Sequence, residues 1–185
     1  WREEWKRRLD GTEPWVLRWL TEQVDSPYWR NGSLREGTRP PGSDAGYDRI
    51  EAATMIVAGW ADGYRNNTFR TFERLTCPKR LLVGPWSHMS TASSLPGPHI
   101  DLVPELIAWF GHHLRGDDSG VDTAPPIQVY VRDAVEPEPD LAEHPGEWWA
   151  LPSWPPAEHA TASFRVDGSG ALRLPEAHDV GESAW

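Results

Sequence analysis

The sequence predicts an α/β fold built on a parallel sheet. Residues 54–58 form a short apolar run, Thr-Met-Ile-Val-Ala, which is typical of a strand buried on both faces. Residues 80–84 form a second run of this kind. Between them, Phe69, Phe72 and Leu75 recur every three residues, which predicts the apolar face of a helix. A strand–helix–strand unit of this length indicates a parallel crossover, so both strands are expected to end at the same sheet edge.

Turn and cap residues mark the expected ends of these elements. Gly59 and Gly63 predict a tight turn where the first strand ends. Asn66 or Asn67 is expected to cap the following helix, and Pro78 is expected to lie beyond its end.

An aspartate and a histidine follow the two strands. Asp62 lies in the segment GWADGY and His88 ends the segment RLLVGPWSH. A carboxylate that accepts the imidazole Nδ1–H leaves Nε2 free to take a proton from a nucleophile, and α/β-hydrolases carry their triad in the chain order Ser, acid, His. Either residue alone would be more simply interpreted as a turn or cap residue. Their joint placement at one sheet edge favours a functional role for the pair.

These two segments resemble the motifs of the cocaine esterase / X-Pro dipeptidyl-peptidase family of serine hydrolases, the CocE/NonD-like hydrolases. The resemblance implies that Asp62 is the triad acid, that His88 is the base, and that Tyr64 lines the acyl pocket. Trp60 and Trp86 stand beside the motif residues, and we expect them to shape the rim of the site and contact substrate.

The nucleophile of such a triad is expected upstream of Asp62, on an elbow of the type G-x-S-x-G. No such pentapeptide occurs in the 185 residues. Ser87 lies in the loop of His88 rather than on an elbow, so it is not a candidate. Because the chain also begins with Trp1, we expect a fragment of a longer hydrolase that is inactive, and poorly soluble, on its own.

The chain is expected to divide into four segments. The first segment contains two short helices, which are expected to form part of a helical cap. An ordinary helical hairpin packed on the sheet fits the same pattern. The catalytic segment is expected to end with a strand over residues 127–131, and a β-hairpin closes the chain. The resemblance implies that the segments are the helical cap and connecting loop (1–48), the C-terminal part of an α/β-hydrolase catalytic domain (49–133), a Pro- and Trp-rich connection (134–160) and the beginning of a β jelly-roll domain (161–185).

A further helix is predicted from about Pro104 to Leu114, ended by Gly116. Its segment ELIAWFGHHLRG resembles a helix of the same family, and Leu106, Trp109, Phe110 and Leu114 are expected to form its apolar side. The adjacent pair His112 and His113 does not predict a metal site, since neighbouring helix positions point about 100° apart.

Composition limits the possible partners. The formal net charge is −10 and no basic cluster is present, so neither nucleic acid nor an anionic membrane is expected as a partner. We therefore expect a serine hydrolase of the acyl-transfer class, without cofactor, acting on a small-molecule ester or a short peptide. The alternatives are an X-Pro dipeptidyl peptidase and an inactive remnant or binding module. Oligomeric state and compartment stay open, with the cytoplasm slightly favoured.

Overall fold

The fold is α/β, as the sequence predicts. A computed structural model describes residues 1–30, 32–34, 46–88, 90–160 and 162–173. The four-stranded sheet, in the order β1–β2–β3–β4, consists of β1 (Thr54–Gly59), β2 (Lys79–Gly84), β3 (Ile127–Arg132) and β4 (Gly146–Leu151). The helices are α1 (Arg2–Gly11), α2 (Trp15–Thr21), α3 (Pro27–Arg30), α4 (Arg65–Arg74) and α5 (Val103–Phe110), with a 3-10 turn (Tyr47–Arg49) and a π-helical turn (Gly111–Arg115).

The central unit is a parallel crossover. Strands β1 and β2 run parallel, with Thr54 opposite Lys79 and Gly59 opposite Gly84, and α4 connects them. Helix α4 begins directly after Tyr64, so Asn66 and Asn67 lie inside its first turn and the predicted caps are wrong. The physical reason is that the Asp62 side chain already accepts the Tyr64 N–H and forms the turn before either asparagine is reached.

The hydrophobic core lies between α4 and one face of the sheet. Phe72 packs there against Leu81 and Val83 of β2 and against Ile127 and Val129 of β3. All five side chains are buried. Because β2 and β3 are the central strands of the sheet, this buried cluster anchors β2, whose end leads to His88.

The sheet does not end with β3, as the sequence analysis predicts, but continues with β4. It lies within residues 134–160, where only a connection was expected, and it pairs antiparallel with β3. Trp148 of β4 packs against Tyr130 of β3, with ring centroids 5.3 Å apart. The segment GEWWAL lacks a clean alternation of apolar and polar residues and is flanked by prolines, so its strand character depends on the neighbouring β3 rather than on its own pattern.

Helix α5 is shorter than predicted. It ends at Phe110 and continues as the π-helical turn, which Gly116 closes in the left-handed conformation, at the position expected for the helix end. Trp109 is buried as expected, whereas Phe110 and Leu114 are exposed, so the predicted apolar side is wrong at these two positions. Leu114 lies in the π-helical turn, whose wider pitch breaks the 3.6-residue spacing on which that prediction depends.

Helices α1 and α2 are the two short helices predicted for the first segment. Gly11 is the last residue of α1, and Pro14 directly precedes α2. Neither helix contains a buried residue. Their membership of a helical cap stays a prediction. Within the described residues, no helix is long and apolar enough to cross a lipid bilayer.

The predicted hairpin near the end of the chain is confirmed. Strands β5 (Arg165–Val166) and β6 (Leu172–Arg173) pair antiparallel around a turn in which the Asp167 carboxylate accepts the N–H groups of Ser169 and Ala171. The beginning of a jelly-roll domain stays a prediction. Most of the expected loop before β1, at 35–45, and the chain from 174 onward lie outside the described residues.

Candidate active site

The sheet edge at the ends of β1 and β2 positions the site. Beyond the last paired residues, the Trp60 N–H donates to the Gly84 carbonyl oxygen (2.9 Å) and the Ala61 N–H donates to the Trp86 carbonyl oxygen (3.0 Å). These bonds keep the two chain segments side by side after the strands end. Asp62 and the loop that carries His88 therefore leave the sheet together.

Gly59 is required at this edge. A Cβ atom built on Gly59 would lie 1.9 Å from the Trp86 carbonyl oxygen, the same oxygen that accepts the Ala61 N–H. A backbone oxygen at that distance leaves no room for any side chain. The glycine thus permits the close approach of the two segments.

Asp62 and His88 are in direct contact. Asp62 Oδ2 lies 2.8 Å from His88 Nδ1, and Asp62 Oδ1 accepts the Tyr64 backbone N–H at 2.8 Å. The Asp62 side chain is 12% exposed, whereas the His88 side chain is 68% exposed. The Asp62 carboxylate is therefore enclosed and oriented, and the His88 imidazole is largely exposed to solvent.

The hydrogen bonds to Asp62 favour its charged form. The Tyr64 N–H, and after it the His88 ring, lower the pKa of the Asp62 carboxyl below its usual value. An ionised carboxylate is a pure acceptor, so it holds the His88 tautomer whose Nδ1 carries the proton. Nε2 then presents a lone pair and can serve as a general base.

Tyr64 stands beside the imidazole. Its ring meets the His88 ring at 60°, with centroids 5.6 Å apart, and most of its surface is exposed. This edge-on contact is a favourable arrangement for two aromatic rings. Tyr64 is thus at the site, and its predicted role in lining an acyl pocket stays a prediction.

The two motif tryptophans have different surroundings. Trp86 is 1% exposed, and its indole N–H donates to the Pro98 carbonyl oxygen at 2.7 Å. Trp60 stacks on Phe69 and donates its indole N–H to the Tyr130 carbonyl oxygen at 2.6 Å. Both side chains support the site from within the fold, and their contact with substrate stays a prediction.

An open cavity of about 380 Å³ adjoins the acid–base pair. Asp62, His88 and Trp86 line it together with the end of β1 and the loop after His88. Its described lining consists of Val57, Ala58, Gly59, Asp62, Trp86, Ser87, His88, Ser90, Thr91 and Leu102.

The histidine pair after α5 has structural partners. His112 Nε2 lies 3.0 Å from Asp122 Oδ1, and the His113 ring packs against the Trp109 ring with centroids 4.2 Å apart. Across the described ranges, no group of three or more His, Cys, Asp or Glu side chains is arranged to hold a metal ion.

One residue at the site was missed by the sequence analysis. Arg65, the first residue of α4, donates through Nη1 to the Asp62 carbonyl oxygen at 3.2 Å. Its position directly after the motif GWADGY was the available signal. The sequence does not show that the side chain folds back toward Asp62.

Comparison with known proteins finds similar hydrolases. The family model described as X-Pro dipeptidyl-peptidase (S15 family) matches residues 1–90. The cocaine esterase of Rhodococcus sp. (strain MB1 Bresler) is 29% identical over 174 residues, which cover 85% of this chain and 26% of that protein. These matches show that the chain is similar to the CocE/NonD-like family of serine hydrolases.

The fold of this chain also has a solved counterpart. A CocE/NonD family hydrolase from Staphylococcus aureus superposes with a TM-score of 0.55 at 14% identity, covering 82% of this chain and 23% of that one. This likeness shows the α/β-hydrolase fold. The chain therefore spans about a quarter of the length of the relatives it matches.

Proposed function

We propose that this chain supplies the acid and the base of a Ser-His-Asp triad in a serine hydrolase that cleaves carboxylic esters by acyl transfer. The observation that supports the proposal is the 2.8 Å contact between Asp62 Oδ2 and His88 Nδ1 at the edge of the parallel sheet. The nucleophilic serine would come from a part of the protein outside these 185 residues, as the absence of a G-x-S-x-G segment requires.

His88 would act first as a base and then as an acid. Its Nε2 would take the proton of the serine hydroxyl as the serine oxygen bonds to the acyl carbon. The same proton would then pass to the alkoxide oxygen as the ester C–O bond breaks, which leaves an acyl-enzyme and an alcohol. In the second half, His88 would deprotonate water, the resulting tetrahedral intermediate would collapse, and the serine would recover its proton.

Asp62 would stabilise the imidazolium in both halves. The lowered pKa of its carboxyl keeps the negative charge in place when His88 becomes positive. The Tyr64 N–H fixes the second carboxylate oxygen, so Asp62 cannot rotate away from the ring without losing a hydrogen bond. This pre-orientation is the contribution that the geometry of these residues supports.

Fluorophosphonate labelling of the complete protein tests the proposal. We expect rapid labelling of one serine in the unaltered protein, and at least about a hundredfold slower labelling in His88→Ala and Asp62→Asn. Ser93→Ala serves as a matched control, since it removes an exposed hydroxyl in the loop after His88 that lies outside the described cavity lining, and it should leave labelling intact. Unchanged labelling in both triad variants would contradict the roles, and absence of labelling in the unaltered protein would indicate an inactive remnant.

A second candidate function is X-Pro dipeptidyl peptidase activity. The family-model match over residues 1–90 favours it, because that model is described by this activity. The two candidates differ in the acyl group and in the leaving group, not in the acid–base chemistry. Comparing kcat/KM for a 4-nitrophenyl ester and for an Ala-Pro 4-nitroanilide separates them, and we expect the ester to be preferred.

A further inference from the structure

A basic side chain lies beside the proposed acid–base pair. The Arg65 Nη1 group is 3.2 Å from the Asp62 carbonyl oxygen, and the residue is exposed. Among the described residues, Arg65 forms no ion pair with a carboxylate. Its guanidinium is permanently charged, and a backbone carbonyl does not neutralise it. The positive charge is therefore available to a ligand at this edge.

The Asp62 carboxylate carries a negative charge at the same edge, and both of its oxygens already have partners. Asp62 is the one carboxylate in the described lining of the cavity next to His88. Its Oδ1 accepts the Tyr64 N–H and its Oδ2 contacts the His88 ring. An incoming ammonium group would find both oxygens of the one carboxylate in this lining already hydrogen-bonded. The nearby guanidinium of Arg65, which contacts the Asp62 carbonyl oxygen from outside this lining, would repel it.

From these contacts we infer that Arg65 selects substrates with an anionic group close to the scissile ester and disfavours substrates with an ammonium group there. The inference rests on the proposed hydrolase function and narrows its substrate class to esters such as half-esters of dicarboxylic acids. It also counts against X-Pro peptides, because their N-terminal ammonium lies close to the bond that is cleaved.

The expected effect is moderate because Arg65 is exposed. Exposed charge pairs change an equilibrium by up to about fivefold. Salt screens such pairs over a distance of roughly 10 Å at 0.1 M ionic strength. A preference due to Arg65 should therefore decline as salt is added, whereas a preference due to shape should not.

Two matched substrate series test the inference on the complete protein. The acyl series is 4-nitrophenyl hexanoate, the 4-nitrophenyl half-ester of adipate and 4-nitrophenyl 6-aminohexanoate, and the leaving-group series is phenyl butyrate and 3-carboxyphenyl butyrate. The variants are Arg65→Gln and Arg65→Lys, with Arg70→Gln as the control. Arg70 is an exposed residue of the same helix, so its substitution changes the net charge equally without altering a contact to Asp62.

The preference is measured as kcat/KM for the anionic ester divided by kcat/KM for its neutral or cationic partner. We expect Arg65→Gln to lower this preference by about fivefold in one of the two series. The change should appear mainly in KM. Arg65→Lys should keep most of the preference, and Arg70→Gln and the neutral esters should be unaffected. Unchanged ratios in both series, or an equal change in Arg70→Gln, would overturn the inference.

A binding measurement separates this inference from the proposed function. If the protein hydrolyses none of these esters, the proposed function fails, and ligand-observed NMR titration with adipate and 6-aminohexanoate still tests the role of Arg65. Tighter binding of adipate that Arg65→Gln abolishes would support the inference. Equal binding by both proteins, or no binding of adipate, would overturn it.

Discussion

Helices α4 and α1 have similar sequence patterns but different surroundings. Both carry aromatic or aliphatic residues at helical spacing, and both form where the spacing predicts them. In α4, Phe72 is 4% exposed, whereas in α1 the exposed fractions are 93% for the preceding Trp1 and 54% for Trp5. Periodicity therefore predicts that a helix has an apolar face, but it does not show what covers that face.

The apolar face of α4 is buried because the sheet covers it. Phe72 finds the adjacent Leu81 and Val83 on β2, whose positions follow from the parallel register with β1. The indoles of Trp1 and Trp5 instead stack on each other, with centroids 6.3 Å apart. The unit from β1 to His88 is therefore supported by tertiary contacts, whereas α1 relies on local ones within the described chain.

The largest effect is expected from a pair of substitutions that compares α4 with α1 directly. In the complete protein, Phe72→Ala should lower the free energy of unfolding by about 4 kcal/mol, because it leaves a cavity between α4 and the sheet. Trp5→Ser should cause little change, since the indole is already exposed in this structure. Urea denaturation measures both. An equally large loss in Trp5→Ser would contradict the contrast and show that α1 is covered.

The second test concerns the close approach at the site. Gly59→Ala should destabilise the protein by about 3 kcal/mol and reduce fluorophosphonate labelling, because the new Cβ displaces the Trp86 carbonyl and with it the loop of His88. Gly63→Ala is the matched control, since a Cβ there has no heavy atom within 4 Å. Similar stability of the two variants would show that Gly59 is not needed at this edge.

A third test compares an ion pair between β2 and α5 with an exposed ion pair on α1. Arg80 is buried, and its Nη2 lies 3.0 Å from Glu105 Oε2 of α5. Glu105→Gln should lower the free energy of unfolding by about 2 kcal/mol, because it leaves the buried guanidinium without a countercharge, although Glu105 itself is partly exposed.

The control is the exposed pair of Glu4 and Arg7 on α1. Glu4→Gln should leave the thermal unfolding midpoint unchanged, because water and salt already screen that pair. Equal effects of Glu4→Gln and Glu105→Gln would show that burial does not distinguish the two regions.

The smallest expected effect is a dependence on pH. The pKa of Asp62 is lowered in the folded state, mainly by the Tyr64 N–H and then by His88. Its stabilising contribution is therefore complete above the pKa of the unfolded chain and is lost as pH falls through the folded-state pKa. The stability difference between the unaltered protein and Asp62→Asn should shrink as pH falls from 7 to 3.

Asp10→Asn provides the comparison for this measurement, since it removes an exposed carboxylate of α1. Urea denaturation at each pH gives both differences. A difference for Asp62→Asn that does not change with pH would contradict the stabilisation of its charged form.

Much of the central unit could be predicted from the sequence. The apolar runs predicted β1 and β2, and their spacing predicted a parallel crossover that brings Asp62 and His88 to one edge. Strand β4 was missed, because its pairing with β3 spans a Pro-rich segment and its own residues do not alternate. The contact of Arg65 with Asp62 was missed because the direction of an exposed side chain is not encoded in a short motif.

The amino-acid sequence alone determined the class of fold, the resemblance to a hydrolase family and the chain order of Asp62 and His88, since these follow from local patterns and from short motifs. Tertiary structure determined the distances. It placed Asp62 Oδ2 against His88 Nδ1 and gave Trp60 and Trp86 backbone partners inside the fold. These outcomes depend on how distant segments pack against each other, and that packing is a property of the whole sheet rather than of any single segment.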